Sequence, residues 1–544
     1  MRIQLEINQQ LLEVEAGKTL FDLADTAGIR VPTTCQRQGK CRECLMEVVE
    51  GMELLSPLAE QEEHLRPPFR LSCRTRIEGA SGMIRCHTLH RGDVKITDEG
   101  CRLPVSGKPM ELDPAVTRDG DRILLDGEEI ARSTGPIYGL AVDLGTTTVS
   151  VRLVDLASGH LLATESFENP QRFGGSDVMA RIQYDTERKG RLLQRVLLGY
   201  LSHAIEALPV DALDIYELVI AGNATMRDIF FGLSVYTIGQ KPYKSITELE
   251  MQEGKRASTH LEKPARQLRL PIHPKARVYG LPLVGGHVGA DTAACLLAIE
   301  MDREDRMVAL MDIGTNTELI VGNRSTIFAA SCPAGPAFEG GELSCGMPGV
   351  DGAIERVRLD GDAVELGVIG DIAPQGLCGS GLIDLLSELL RTRRMNSLGR
   401  LENGEGRFAV SEAEDIYLLE NDISLLAQAK GANVAGLQIV FERYGLVYGD
   451  IDVFYFAGGF ARHIEVAAAK RIGLIPNLPD ATVVQVGNAS LEGATIALCS
   501  TRRREALHAL VQGIEHVQLE SHPDFFDHFV YGCQFVPVEA GGLQ

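Results

Sequence analysis

Residues 138–151 read Y-G-L-A-V-D-L-G-T-T-T-V-S-V, and residues 308–321 read V-A-L-M-D-I-G-T-N-T-E-L-I-V. Each is an apolar run, an Asp-x-Gly-Thr turn and a second apolar run, which predicts strand, turn, strand. Their aspartates, Asp143 and Asp312, lie 169 residues apart, too far for a solenoid period. Two related halves are the expectation. A glycine in such a turn (Gly145, Gly314) lets the backbone approach a phosphate, and turn N–H groups then donate to its oxygens. Thr146, Thr147 and Thr148 in the first turn, and Thr315, Asn316 and Thr317 in the second, are the candidate phosphate-gripping residues. Asp143 and Asp312 are placed to position Mg²⁺ or an attacking water. One Asp-Gly turn says little, because such turns join strands in many folds. Two in matching contexts say much more.

The text around these turns is α/β from Tyr138 onward. Leu193, Leu197, Leu201 and Ile205 recur four apart, as on one face of a helix. At 452–463, D-V-F-Y-F-A-G-G-F-A-R-H predicts a strand entering Gly458-Gly459, where a bare backbone can approach an adenine or ribose. Leu377–Gly381, with Gly379 and Ser380, and Gly487–Ala494 read as glycine-bearing helix starts. Either serves nucleotide contact or plain helix–sheet packing. Glu318 is a candidate base, with an outward strand residue as the equal alternative.

The N-terminal segment is built differently. Ile3, Leu5 and Ile7 alternate, and Leu12 and Val14 resume after a polar turn, which predicts a hairpin. Thr19-x-x-Asp22 then caps a short helix that Gly28 ends, and a β-grasp unit closes near Met83–Cys86. Inside it lies C-Q-R-Q-G-K-C-R-E-C, residues 35–44. The spacing Cys35-x5-Cys41-x2-Cys44 with a remote Cys73 is one residue longer in its first gap than the plant-type 2Fe–2S pattern. It resembles the adrenodoxin-like branch. A zinc site is the first alternative, though Cys73 has no Cys or His within four residues to complete a knuckle. Unligated thiols are the second. Arg37, Lys40 and Arg42 in the loop, and Arg70, Arg74 and Arg76 around Cys73, either compensate cluster charge or form a docking patch for an acidic partner.

Bulk properties narrow the classes. With 53 Lys and Arg against 75 Asp and Glu, the net charge of −22 disfavours a nucleic-acid binder. Trp is absent and aromatics are 5%, so the chain is no stacking platform for single strands. No apolar run approaches the ~20 residues that span a bilayer, and the first ten residues lack a signal-peptide core. A cytoplasmic location is expected, where the 12 cysteines serve as ligands or buried thiols. Residues 89–136, rich in Gly, Pro, Asp and Arg, read as a linker with little core.

The phosphate turns and the Gly-Gly strand together resemble the acetate and sugar kinase, heat-shock chaperone and actin superfamily. Asp143–Thr148 matches its first phosphate loop, Asp312–Thr317 its second, and Ala457–Phe460 its adenosine motif. The likeness implies two ribonuclease-H-like halves closing on ATP with Mg²⁺. One family joins such a module to an N-terminal 2Fe–2S domain: the reductive activators of corrinoid-dependent proteins. E-N-P-Q-R-F-G-G-S-D-V-M-A-R-I, G-N-A-T-M, C-P-A-G-P-A-F-E-G, C-G-S-G-L and A-G-G-F resemble it over essentially the whole length.

The expected organisation is an α+β and α/β multidomain chain. A β-grasp 2Fe–2S domain takes 1–88, a linker 89–136, the first ATPase half 137–303 and the second 304–544. The resemblance implies an ATP-hydrolysing iron–sulfur reductase that returns a corrinoid protein of a methyltransferase system from Co(II) to Co(I). It implies a homodimer and an unidentified low-potential electron donor. Activation of another low-potential enzyme, a ferredoxin-fused small-molecule kinase and a redox-sensing binding module are the rival readings. Cys332 and Cys345 suggest a second cluster at a dimer interface, against buried thiols as the simpler reading.

Overall fold

A computed structural model describes residues 3–89, 95–459, 461–478 and 480–542, and of residues 95–100 and 520 it describes the backbone alone. Phe460 of the adenosine motif and the R-G-D at 91–93 lie outside the described residues. The chain divides into two compact units. The first comprises Met1–Arg102, Lys108–Ala294 and Ala494–Glu505, the second Leu103–Gly107, Cys295–Gly493 and Ala506–Gln544.

In the first unit, a five-stranded sheet runs in the order Gln10–Val14, Ile3–Ile7, Gly82–Thr88, Leu45–Glu50, Phe69–Leu71. Asn8 and Gln9 turn the opening hairpin with φ of 48° and 71°, and Ile3, Leu5 and Ile7 face inward as their alternation predicts. Thr19 caps the helix Leu20–Thr26 by accepting from the Asp22 N–H at 3.1 Å. The expected β-grasp is present, with the cysteine loop between that helix and the strand Leu45–Glu50.

The same unit holds a seven-stranded sheet ordered Leu261–Pro264, Arg277–Gly280, Ile215–Gly222, Tyr138–Leu144, Thr148–Asp155, His160–Glu168, Lys95–Gly100. The second unit holds a six-stranded sheet ordered Thr482–Gly487, Val453–Ala457, Val308–Ile313, Thr317–Asn323, Thr326–Cys332, Ile514–His516. Both contain the same five strands in one order: a three-strand antiparallel meander whose first strand is flanked by two parallel ones. These are the expected ribonuclease-H-like halves, and each Asp-x-Gly-Thr turn joins the first two strands of its meander. Register places Asp143, Ser150 and Ser166 opposite one another in the first sheet, and Asp312, Glu318 and Ser331 in the second. Opposed residues share a sheet face, so each aspartate heads a cross-strand row.

Leu193, Leu197, Leu201 and Ile205 are buried along the helix Leu192–Ala207, as their spacing predicts. In the second unit the long helix Glu420–Tyr444 and the helix Gly379–Arg391 supply much of the core beside the sheet. Residues 95–132 hold more structure than a linker needs. Lys95–Gly100 is an edge strand on His160–Glu168, and Val116–Asp119, Arg122–Leu125 and Glu128–Arg132 form a small sheet over buried Val116 and Ile123. Asp113 anchors this stretch by accepting the Arg502 N–H and the Thr501 hydroxyl. The edge strand pairs with residues some sixty positions downstream, which local composition does not report.

Candidate iron–sulfur and phosphate sites

The four predicted thiols stand as two pairs, Cys35 with Cys41 and Cys44 with Cys73, each with sulfurs 3.2 Å apart. Two thiols per pair suit two irons, each completed by shared sulfides. Among the described residues no three His, Cys, Asp or Glu groups converge on one metal ion. Gly39, at φ 72° and with Arg74 packed against it, helps turn the loop so that peptide N–H groups aim at sulfur. Those of Cys41, Lys40 and Gln38 donate to Cys35, and Gly39 donates to Cys73. Burial pushes the Cys35 thiol up, but these donors outweigh it and bring it down to about 7. Cys44 and Cys73 are buried, while Cys35 and Cys41 are half-buried and form the outer pair.

Buried Glu62 holds the strand and turn that present Cys73. Its carboxylate accepts from Arg70 Nε at 3.0 Å, the Leu71 N–H at 2.8 Å, the Thr75 hydroxyl at 3.2 Å and the Ala59 N–H at 2.9 Å. Arg70 is therefore a buried partner of Glu62 and does not belong to a docking patch. Arg37 is committed too: it pairs with Asp22 at 2.9 Å and Asp25 at 2.7 Å, and its guanidinium lies 4.4 Å from the Phe21 ring centre. The sequence counted these cations without their acidic neighbours.

Within the same unit the cluster loop is seated on the helix Leu192–Ala207. Buried Glu43 accepts the Thr34 hydroxyl at 2.8 Å and lies 3.3 Å from His203 Nε2. Gly199 leaves the room, since a Cβ there would stand 2.8 Å from the Glu43 carboxylate. The Tyr184 hydroxyl donates to the His64 carbonyl, and Arg172 bridges Glu47 and Glu168.

The first phosphate turn is held from outside by residues of two other motifs. Asn169 Nδ2 donates to the Gly145 carbonyl at 2.9 Å, and its N–H donates to the Thr147 carbonyl at 2.7 Å. Arg181 donates to the Thr146 carbonyl at 2.6 Å, and Asn223 Nδ2 to the Thr146 hydroxyl at 3.0 Å. Sequence reasoning singled out the segments but not these side chains, whose role depends on three distant segments meeting. Gly145 is dictated by the turn, because a Cβ would strike the Thr148 carbonyl. Asp143 is half-buried at the end of its strand, and Thr148 is exposed.

In the second turn, Asp312 accepts the Cys295 thiol at 3.2 Å, and the Thr315 hydroxyl donates to Glu339 at 2.5 Å. The Thr317 hydroxyl is buried with no hydrogen-bond partner, and Gly314 and Asn316 are half-buried at the tip. The strand Val453–Ala457 pairs alongside Asp312, so Gly458 reaches this turn, where a Cβ would strike the Ile313 carbonyl. A Cβ on Gly459 would meet nothing within 4 Å, which leaves an uncovered backbone face beside the turn. Glu318 is buried and takes the Ser331 hydroxyl at 3.3 Å. Ser380 is buried against the Cys378 thiol, and a Cβ on Gly381 would strike the Ile354 carbonyl. These neighbours favour helix–sheet packing at Gly379–Gly381. Cys332 and Cys345 lie in the hydrophobic core, and burial pushes Cys345 up to about 12. They behave as buried thiols.

Fold and sites together define a 2Fe–2S ferredoxin-type domain joined to an actin-like ATPase module. The chain belongs to the family of reductive activators of corrinoid proteins. Residues 4–78 match the 2Fe–2S iron–sulfur cluster binding domain, 138–304 the RACo middle region, and 306–541 the C-terminal domain of RACo, the ASKHA domain. The cofactors that go with these domains are a 2Fe–2S cluster and ATP with a divalent metal. The corrinoid activation enzyme RamQ of Eubacterium limosum is 29% identical, over 98% of this chain and 99% of that protein. The [Co(II) methylated amine-specific corrinoid protein] reductase of Methanosarcina barkeri is 22% identical, over 74% of this chain and 78% of its own. The solved structure of a reductive activator for corrinoid, iron–sulfur protein superposes with a TM-score of 0.72 at 27% identity, covering 98% of both chains. No helix among the described residues is long and apolar enough to cross a membrane.

Proposed function

We propose that this chain is an ATP-dependent reductase that returns a corrinoid protein of a methyltransferase system from inactive Co(II) to active Co(I). The observation that carries the reading is the presence in one chain of two thiol pairs and two ribonuclease-H-like sheets, each bearing an Asp-x-Gly-Thr turn. A bound 2Fe–2S cluster would supply one electron at a time, at low potential (plant-type clusters lie at about −400 mV). Each ~59 mV by which the cobalt couple lies lower costs a factor of ten, a deficit that ATP hydrolysis offsets.

Cys35, Cys41, Cys44 and Cys73 hold the cluster, and the half-buried Cys35–Cys41 edge faces the electron's partners. Thr146–Thr148 and Thr315–Thr317 handle the phosphates of MgATP, with Asp143 and Asp312 on the metal or water side. Gly458 and Gly459 take the nucleoside. Asn169, Arg181 and Asn223 bind no ligand themselves: they occupy the carbonyls and one hydroxyl of the first turn so that its N–H groups face outward. The domains run 1–88, 137–303 and 304–544, with 89–136 linking the first to the second. The protein works in the cytoplasm as a homodimer and takes electrons from a low-potential donor.

The test is anaerobic incubation of the reduced protein with a Co(II) corrinoid protein, with and without MgATP. Co(I) absorbance should appear only with MgATP. No ATP-dependent Co(I) with any methyltransferase corrinoid protein overturns the reading.

A further inference from the structure

We infer that Tyr200, on the helix Leu192–Ala207, donates its hydroxyl hydrogen to the Cys44 sulfur of the loaded cluster and so raises the potential at which the cluster accepts an electron. The inference rests on the four thiols holding a 2Fe–2S cluster and not on the cobalt reaction, so it can fail while the reductase reading stands. Gly199, Tyr200 and His203 are near neighbours on that helix. Two of them meet Glu43 of the cluster loop: a Cβ on Gly199 would stand 2.8 Å from its carboxylate, and His203 Nε2 lies 3.3 Å from it. Tyr200 is buried with them, and its phenol lies beside the N–H of Leu45, the residue that follows Cys44. A residue of the middle region thus reaches the inner thiol pair of the ferredoxin-type domain, within one compact unit.

The Tyr200 hydroxyl is buried with no hydrogen-bond partner among the described residues. Enclosing an O–H that gives its hydrogen to nothing is costly, and such a group in a native fold needs an explanation. The acceptors whose charge reaches the phenol are Cys44, Glu43 and Glu168. Glu43 already takes the Thr34 hydroxyl at 2.8 Å and faces His203, and Glu168 takes Arg172 at 2.7 Å. The Cys44 sulfur is the acceptor these pairings leave over, and as an iron ligand it is a thiolate. Burial, and then the charges of Cys44 and Glu43, hold the phenol well above the usual tyrosine range, so it keeps its proton. The Tyr200 ring is braced by Phe167, with centres 6.0 Å apart, two residues before the Asn169 that clamps the first phosphate turn. Reduction adds negative charge at the sulfurs, so a donor there favours the reduced form.

The test compares the full-length wild type with Tyr200→Phe and Tyr216→Phe, each carrying its cluster, by redox titration followed through the EPR signal of the reduced cluster. Tyr216 is a buried phenol elsewhere in the same unit, packed on His273. Tyr200→Phe keeps the ring and loses only the hydroxyl. At a fixed potential it should lower the ratio of reduced to oxidised cluster ~10-fold, which is ~59 mV for one electron, with iron content unchanged. Tyr216→Phe should leave the potential where it is. A shift for Tyr200→Phe below about twofold (~18 mV), or an upward one, overturns the inference. So does an equal shift in Tyr216→Phe, or a Tyr200→Phe chain that loses its iron or its fold, since either makes the phenol a packing group. A wild-type chain that takes up no two-iron cluster overturns the cluster assignment and this inference with it.

Discussion

Replacing Glu62 with alanine should release the Cys73 side of the cluster, and the structure sets the scale of the effect. The wild-type carboxylate lies fully buried beneath Arg70, whose own side chain is 4% exposed. Removing it strands a buried guanidinium with the Ser56 and Pro57 carbonyls and the weakly accepting Met52 sulfur as its neutral partners. It also takes the acceptor from the Leu71 N–H, the Ala59 N–H and the Thr75 hydroxyl. Breaking one side of a buried pair costs about 3–5 kcal/mol. Glu62→Gln keeps one acceptor oxygen and should cost less. Replacing Glu62 and Arg70 together with leucines should cost less than Glu62→Ala alone, because no buried charge is stranded. The assay is chemical unfolding of the apo and cluster-loaded protein, with cluster loss followed by visible absorbance. A stability change below ~1 kcal/mol for Glu62→Ala, or strictly additive single and double variants, would refute the argument. A pH dependence accompanies it. Burial alone would push Glu62 up, but Arg70 and the Ala59 and Leu71 N–H groups hold it below its usual 4.5. Its contribution is thus fully present above pH 4.5 and is lost as pH falls through the lower folded-state value. Glu62→Gln should remove that acid-limb loss.

Three further outcomes are expected. Cys44→Ser, at the buried pair, should abolish the cluster, whereas Cys35→Ser, at the outer pair, should retain part of it with a shifted spectrum; iron and sulfide analysis distinguishes them, and equal loss counts against two unequal edges. Asn169→Ala leaves the Gly145 carbonyl without its amide donor, a cost of about 1–3 kcal/mol, so the KM for ATP should rise by up to ~5–150-fold with the cluster spectrum unchanged. Lys430, fully buried, donates to the Gly532 and Gln534 carbonyls, and burial brings it down to about 7 from 10.5. Between those values the unfolded chain holds one more proton than the folded one. Stability of the second unit should therefore rise with pH by up to ~1.4 kcal/mol per pH unit, a slope absent from Lys430→Met in unfolding curves taken at pH 7, 8 and 9.

What could be read from the text was what is local. The hairpin at Asn8-Gln9, the Thr19 cap, the cysteine spacing and the two Asp-x-Gly-Thr turns each depend on residues within a few positions, and each is where it was expected. Features built from distant segments were invisible. The edge strand Lys95–Gly100 needs His160–Glu168 as its partner. Arg37 and Arg70 looked like surface charge until Asp22, Asp25 and Glu62 folded against them. Asn169, Arg181 and Asn223 have no motif of their own as clamps, because their common target is a turn they meet only in the fold. A glycine-bearing helix start such as Gly379-Ser380 is the same in sequence whether it binds or packs.

The two cross-strand rows carry a consequence for the protein's history. A doubled ancestral module would begin with the same residues facing each turn. Here one copy sets two hydroxyls, Ser150 and Ser166, opposite its aspartate, while the other sets Glu318 and then Ser331 beside Asp312. The two sheets share one topology and differ in the chemistry along the row. Grafting Glu318 onto position 150, or serine onto 318, would ask whether the copies are still interchangeable or have become a specialised pair in which neither can stand in for its sister.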